Sequence, residues 1–341
     1  MQPQNRSEIL FCYDIKDNNP NGDPLDGNKP RIDEATDRNI VTDVRLKRTV
    51  RDYLKKFKGK EILIEAARDE ESEEAGSVKT GKQRAMDFYV NPKDGKQLSK
   101  EDMKKDLAKA CAIVQSNVLG KCIDARLFGC TLPVGVEGDN TGAASVTLTG
   151  PVQFRMGRSL NKVELVRIKG TGAFASKGGA EQNTFREEYI LPYSFISFYG
   201  LVNENAAVDT RLTTDDLDAL YDALWNGTKN LISRSKIGQT PRLLLAVTFK
   251  DKNYHIGDLD KAIVLVPKPG VKEEQVRDVA DFALNVSMLL QLLKQNAASI
   301  SHISLRSDER LQFLAPGEKV SSDLGAVLKG LGLSVRPFVA Q

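Results

Sequence analysis

Two kinds of side chain are concentrated enough in this sequence to do chemistry. Residues 45–60 hold eight Lys or Arg and a single acid, Asp52. A surface helix usually mixes both signs, so so one-sided a balance favours a polyanion partner; a solvated helix face is the plain alternative. Residues 155–177 carry six more Lys or Arg against one acid, Glu164. There Phe174 can wedge against a base and Lys177 can meet a phosphate, since stacking and charge together hold single strands. Phe174 can equally pack against a neighbouring protomer. The second concentration is of carboxylates: Asp23, Asp26, Asp33 and Asp37 crowd one loop. Paired carboxylates can hold Mg²⁺, which admits a metal-dependent ribonuclease. Asp-Gly and Asp-Pro pairs are also ordinary turn chemistry.

Other motifs lack the context their chemistry needs. Gly76-Ser-Val-Lys-Thr-Gly-Lys82 has the spacing of a phosphate-binding loop, but Gln83 stands where a Mg²⁺-binding hydroxyl belongs. An acidic run precedes it where a buried strand is required. Gly170-Thr-Gly-Ala-Phe-Ala175 resembles a dinucleotide fingerprint, yet Ser-Lys-Gly-Gly follows, a poor helix opening. Cys12, Cys111, Cys122 and Cys130 form no Cys-x-x-Cys, and the only histidines are His255 and His302. Zinc needs about four clustered ligands, so no zinc site is expected, and the thiols read as reduced and mostly buried.

The elements that must position these groups are legible in outline. An apolar run at residues 9–13 reads as a strand. The following loop carries Pro20, Pro24, Pro30, Gly22 and Gly27, which predicts shaped turns rather than a floppy linker. Leu46, Val50, Tyr53, Leu54 and Phe57 then mark the core face of the basic helix, with Thr42 or Asp43 as cap. A short strand is expected at residues 61–65 and an exposed insertion at 65–100. A helix from Ser99 to about Leu119, stopped by Gly120, follows. Arg126 can contact phosphate or pair with Asp124. Residues 143–154 alternate as one strand; residues 163–169, then glycines, then 189–201 read as two extended arms with a basic tip, a protruding hairpin placed at about 157–188. Thr213-Thr-Asp-Asp-Leu217 opens a helix that buries Trp225. Ser233-Arg-Ser-Lys236 touches a partner or is solvated. Residues 242–249 and 262–266 are strand-like, and 276–293 reads as a helix apolar on several faces.

Composition sets the outer limits. With 341 residues, 40% hydrophobic and 28% charged, the chain can build an ordinary core. Net charge is only +3, so a polyanion site must come from segregated charge, not from the total. No apolar stretch reaches membrane-spanning length, and the polar first residues lack a signal-peptide core, so a cytoplasmic location is the default expectation.

The strand, then Asn19-Pro-Asn-Gly-Asp-Pro24, Asn28-Lys-Pro-Arg31, Asp33 and Val41-Thr-Asp-Val44 before Leu46-Lys-Arg48, resembles the backbone subunit of type I CRISPR surveillance complexes. That is the Cas-seven family, closest to its type I-B branch. Asp124-Ala-Arg-Leu-Phe-Gly129 and the 145–154 stretch with its Gly-Pro fit the same family. The order of elements suggests a split βαβ core. The resemblance implies an α+β fold over residues 1–341: a modified RNA-recognition (ferredoxin-like) palm with inserted fingers and a protruding hairpin thumb. It implies a non-enzymatic scaffold that binds CRISPR RNA and self-associates head to tail. Target DNA and the other Cascade subunits are the further partners it implies, with no cofactor. Lys29, Arg31, Lys47, Arg48 and Arg51 are then the expected contacts to the guide backbone, together with Arg45, although Arg45 and Lys47 cannot share one narrow helical stripe. Phe174 and Lys177 fall in the thumb, which the resemblance has interrupt guide–target pairing at intervals. A protein-interaction module without nucleic acid is the third reading.

Overall fold

A computed structural model describes residues 1–69, 76–136, 138, 144–171, 185–317 and 319–339. The chain divides into two compact units: Met1–Gln4, Arg51–Gln153 and Asn203–Leu220 in the first, and Asn5–Val50, Phe154–Val202 and Tyr221–Gln341 in the second. The basic helix, Asp43–Lys58, contributes its first turns to the second unit and the rest to the first.

The second unit is built on β1 (Ser7–Asn18), whose first nine residues are all buried. A strand hidden on both faces must be apolar without alternation, as Ile9-Leu-Phe-Cys-Tyr13 is. Around it lie β2 (Arg38–Val41), β3 (Gly157–Lys162), β4 (Val166–Thr171), β5 (Phe185–Val202), β6 (Thr240–Phe249) and β7 (Ile300–Ser307). The sheet runs β7-β6-β1-β5-β3-β2, antiparallel at each of these steps. Taken in chain order, the four strands β1, β3, β5 and β6 therefore sit in the order four-one-three-two. The basic helix falls between the first and second of them, and helices Glu204–Thr210 and Thr214–Asp222 between the third and fourth. Gly157 is where β3 meets Phe198, since a Cβ there would fall 2.4 Å from the ring. β4 and the outer part of β5 pair antiparallel, from Val166 opposite Ile190 to Thr171 opposite Phe185, while β3 belongs to the sheet itself. Residues 172–184, with Phe174 and Lys177, lie outside the described residues.

A smaller sheet in the same unit joins Val264–Pro267, Phe282–Asn285, Phe313–Ala315 and Lys319–Ser321. Phe282 meets Phe195 of β5 edge-on at 5.2 Å between ring centres. Here one expectation fails. Residues 276–293 are not one helix but a 3-10 turn (Val279–Asp281), a strand (Phe282–Asn285) and a helix (Ser287–Gln295). The Asp281 carboxylate accepts from the backbone N–H of Arg277 and Asp278 and closes a turn. Phe282, Leu284 and Val286 are then buried in alternation, a period of two hidden inside an apolar run.

In the first unit, helices Gly81–Asp87, Lys100–Lys105, Leu107–Lys121 and Ile123–Phe128 pack with a hairpin of Gly129–Val134 and Ala144–Thr149. Ala85, Phe88 and Tyr89, inside the stretch expected to be an exposed insertion, are buried in this core with Met103, Val114 and Val118. Three further expectations change. Residues 61–65 form no strand; only Glu61 bridges to Cys122. The helix from Ser99 breaks at Asp106, whose side chain caps the next helix through the Lys109 N–H at 2.9 Å, and Gly120 does not stop that helix. The 143–154 strand is interrupted at Gly150-Pro151, because Gly150 lies against the Phe128 and Gly129 backbone and Pro151 has no donor. The phosphate-loop mimic is a capped helix start: Thr80 accepts from Gln83, and among the described residues just before it only an isolated bridge joins Arg68 to Val78.

Candidate nucleic-acid interface

The first loop is tightly built in the second unit. Gly22–Asp23 pairs with Lys29–Pro30, and Ile32–Asp33 pairs with Arg38–Val41, so the prolines and glycines do make shaped turns. Buried amides tie the turns together. The Asn19 Nδ2 donates to the Asn28 carbonyl at 2.7 Å, and the Asn39 Nδ2 to the Arg31 carbonyl at 2.8 Å. The Asn21 Oδ1 accepts from both the N–H and the hydroxyl of Thr42 at 2.9 Å. Thr42 in turn accepts the Arg45 N–H, so it is Thr42, not Asp43, that caps the basic helix. Leu46, Val50, Tyr53 and Leu54 are buried as their spacing predicts. Phe57 is not: it is 57% exposed and stacks on Tyr53 at 5.1 Å from the helix surface.

The loop and helix cations differ in what they meet. The Lys29 ammonium donates to Asp26 at 2.6 Å and sits 5.5 Å from the centre of the Tyr189 ring. The Arg31 guanidinium meets Asp23 at 2.5 Å, leaving its Nε buried without an acceptor. Lys47 reaches Asp43 at 3.2 Å, one helical turn back. Arg48 is exposed and Arg45 half-buried. In the first unit Arg51 meets Asp124 at 2.9 Å and lies 5.3 Å from the centre of the Phe128 ring. Asp124 is fully buried and also accepts the N–H groups of Leu63 at 2.7 Å and Ile64 at 3.1 Å. Arg51 thus answers an internal carboxylate, a structural duty that its place in a basic run conceals. Arg126 takes neither expected role; it grips Asp216 through two hydrogen bonds of 2.8 and 2.7 Å. Asp216 follows Thr213 in the same helix cap and receives its N–H.

The carboxylates of the loop are each matched to a cation. Asp23 holds Arg31, Asp26 holds Lys29, Asp33 meets Arg158 at 2.7 Å, and Asp37 meets Lys162 at 3.4 Å. The hydrogen bond from Arg158 keeps the Asp33 carboxyl below its ordinary range. Among the described residues no group of three or more His, Cys, Asp or Glu is placed to hold a metal ion. The cysteines are free thiols, and burial pushes Cys12 up to about 12.

One cation that sequence left undecided belongs to this region. The Lys236 Nζ donates to the Asn19 carbonyl at 2.7 Å, beside the start of the loop. A turn with two cations between serines is the only signal that could have found it.

These features define a protein of mixed α and β structure with a run of cations on one helix, preceded by a loop whose carboxylates are paired with cations. The family described as CRISPR-associated protein Cas7 matches residues 5–287. A curated relative, "CRISPR-associated protein Cas7" of Haloferax volcanii, is 33% identical over 340 residues, covering 95% of this chain and 93% of its own length. Two chains of solved structures also align. One, of a "CRISPR RNA-guided surveillance complex", has a TM-score of 0.47 at 12% identity, covering 89% of each chain. The other, of a "CRISPR RNA-guided surveillance complex, pre-nicking", has a TM-score of 0.43 at 13% identity, covering 74% of this chain and 80% of its own. The chain belongs to the Cas7 family of CRISPR-associated proteins. Among the described residues no helix is long and apolar enough to cross a membrane.

Proposed function

We propose that this chain is the guide-binding backbone subunit of a type I-B surveillance complex, acting without catalysis. Copies stack head to tail along a CRISPR RNA, hold its phosphates, and leave the base edges open to pair with target DNA. The observation that carries this reading is the segregation of charge: a chain of net charge +3 puts eight cations and one acid into residues 45–60, and Arg48, Lys55 and Lys56 among them are exposed. The palm reading is supported by the four-one-three-two strand order with helices at the two crossings. The fingers are assigned to residues 65–100 and the thumb to residues 157–188 beyond β3, the stretch of sequence that includes Phe174 and Lys177.

The expected guide contacts fall into two groups. The Lys29, Arg31 and Lys47 pairs are partly exposed, and exposed pairs are worth only about 0–1 kcal/mol, so a phosphate can replace the carboxylate at little cost. Arg51 is different, because its partner is buried, and it serves the fold. The ribonuclease reading loses support from the matched loop carboxylates, since Asp33 is already held by Arg158.

Reversing charge at Lys47 and Arg48 (Lys47→Glu with Arg48→Glu) tests the proposal. RNA retention falls sharply under this reading, and wild-type binding weakens steeply with salt. Unchanged retention would leave a protein-interaction module. Specific cuts in complementary RNA with Mg²⁺, lost in Asp33→Ala, would establish the nuclease instead.

A further inference from the structure

We propose that the outer face of the small sheet docks the Leu25 turn of a second copy of this chain. The assignment rests on the head-to-tail reading above and gives that contact two named surfaces.

The register of the small sheet sorts its side chains. Val264 and Val266 lie opposite Asn285 and Ala283, Asn285 lies beside Leu314, and Leu314 lies opposite Val320. Neighbours across a sheet share a face, so these six point the same way. The other face, with Leu265, Phe282, Leu284 and Phe313, is buried in the core of the unit. A sheet with one face on the core normally turns polar side chains to solvent. Here the outer six carry no charge, in a chain that is 28% charged, and all but Asn285 are apolar. Val264 and Val320, on the two edge strands, are 57% and 60% exposed. The Asn285 Oδ1 is turned to the Ser287 N–H at 2.9 Å. The result is an apolar strip that crosses all four strands.

The same unit presents a counterpart. Leu25 is 98% exposed at the tip of the Gly22–Asp23 and Lys29–Pro30 hairpin. The tip is fixed: the Leu25 N–H donates to the Asp23 carboxylate at 3.0 Å, and the Asp26 and Asn28 N–H groups donate to the Asp23 carbonyl at 3.2 and 2.7 Å. A leucine held out on a braced turn is already ordered for insertion, which lowers the cost of binding.

Charge matches the two surfaces. Lys268 follows the strand Val264–Pro267, and Lys319 opens the strand Lys319–Ser321 at the diagonally opposite corner of the sheet. Both are exposed, and among the described residues neither has a carboxylate within ion-pair distance. Leu25 stands between Asp23 and Asp26, which the free chain pairs with Arg31 and Lys29. Where guide phosphates take over those two cations, the two acids are released beside the leucine. An apolar tip between two acids then meets an apolar face between two lysines. Tip and face are different surfaces of one chain, so the contact is heterologous and repeats from copy to copy. Guide binding therefore favours it.

The test uses the full-length protein with two single-stranded RNAs, one long enough for a single copy and one for several. Leu25→Ser and Val264→Ser should bind the short RNA as the wild type does, and should form several-fold fewer multi-copy particles on the long RNA, counted by mass photometry. Leu25→Cys mixed with Val264→Cys on the long RNA should form a disulfide-linked dimer that neither variant forms alone. Serine variants that assemble like the wild type, or a mixture that does not crosslink, overturn the docking and leave guide binding standing through the short RNA. A dimer formed by either cysteine variant alone shows a symmetric contact and also overturns it. Wild-type protein that binds neither RNA overturns the guide-binding reading and the assembly on which the docking rests.

Discussion

Arg45 and Arg51 stand six residues apart on one helix, and they face opposite electrostatic problems. Arg51 meets a carboxylate that is 0% exposed and is itself held by two backbone N–H groups. Arg45 acts on a second cation, Lys236, that has no acid beside it. The first arrangement is complete inside the protein; the second sets a half-buried lysine beside a like charge. A basic stretch therefore does not bind nucleic acid evenly along its length. What matters at each position is whether the chain itself supplies the counter-charge and how deeply that charge is buried.

Asp124→Ala should give the largest effect. It leaves Arg51 and the Leu63 and Ile64 N–H groups without their acceptor, and breaking a buried pair costs about 3–5 kcal/mol. The denaturation midpoint should fall accordingly, while protein that remains folded keeps its RNA affinity. A loss of RNA affinity without a loss of stability would erase the contrast. The double variant Lys47→Gln with Arg48→Gln should do the reverse. It should leave the denaturation midpoint almost unmoved and lower the salt slope by about 1.4, two single-strand contacts.

The pH dependence sharpens the same contrast. Lys236 loses its proton near 8, with burial and then Arg45 as the causes. Arg45 stays protonated throughout. The unfolded chain binds the lysine proton more tightly, so Lys236 opposes stability below pH 8, and that opposition fades as pH rises toward the unfolded value. The denaturation midpoint of the wild type, measured against Lys236→Gln, should be flat below about pH 7 and rise as pH passes 8. The smallest effect belongs to Lys29→Ala. Its pair with Asp26 is 34% and 65% exposed, so the denaturation midpoint should hardly move, with the salt slope reduced by about 0.7.

Much of this was written in local sequence. The β1 run, the buried stripe of the basic helix, the shaped loop and the Thr213 cap follow from periodicity and turn chemistry, which depend on neighbours in the chain. The structural roles that sequence alone leaves open share a cause: each is set by a partner distant in sequence. Arg51 is assigned by Asp124, Arg126 by Asp216, and Lys236 by Asn19 and Arg45. None of these pairs can be read from spacing. Residues 276–293 were misread because a buried strand and a buried helix both appear as apolar runs. Gly150 looked like part of a strand because its close approach to the Phe128 backbone has no local sign.

The central claim is that cations of the basic helix and of the loop before it hold a sugar-phosphate strand without reading its sequence. The direct measurement is the affinity of the full-length protein for several unrelated single-stranded RNAs of equal length over a range of salt concentrations. The account predicts parallel, steep lines of log affinity against log salt, with nearly the same affinity for every sequence. A shallow slope, or affinities that separate by sequence at one salt concentration, would contradict it.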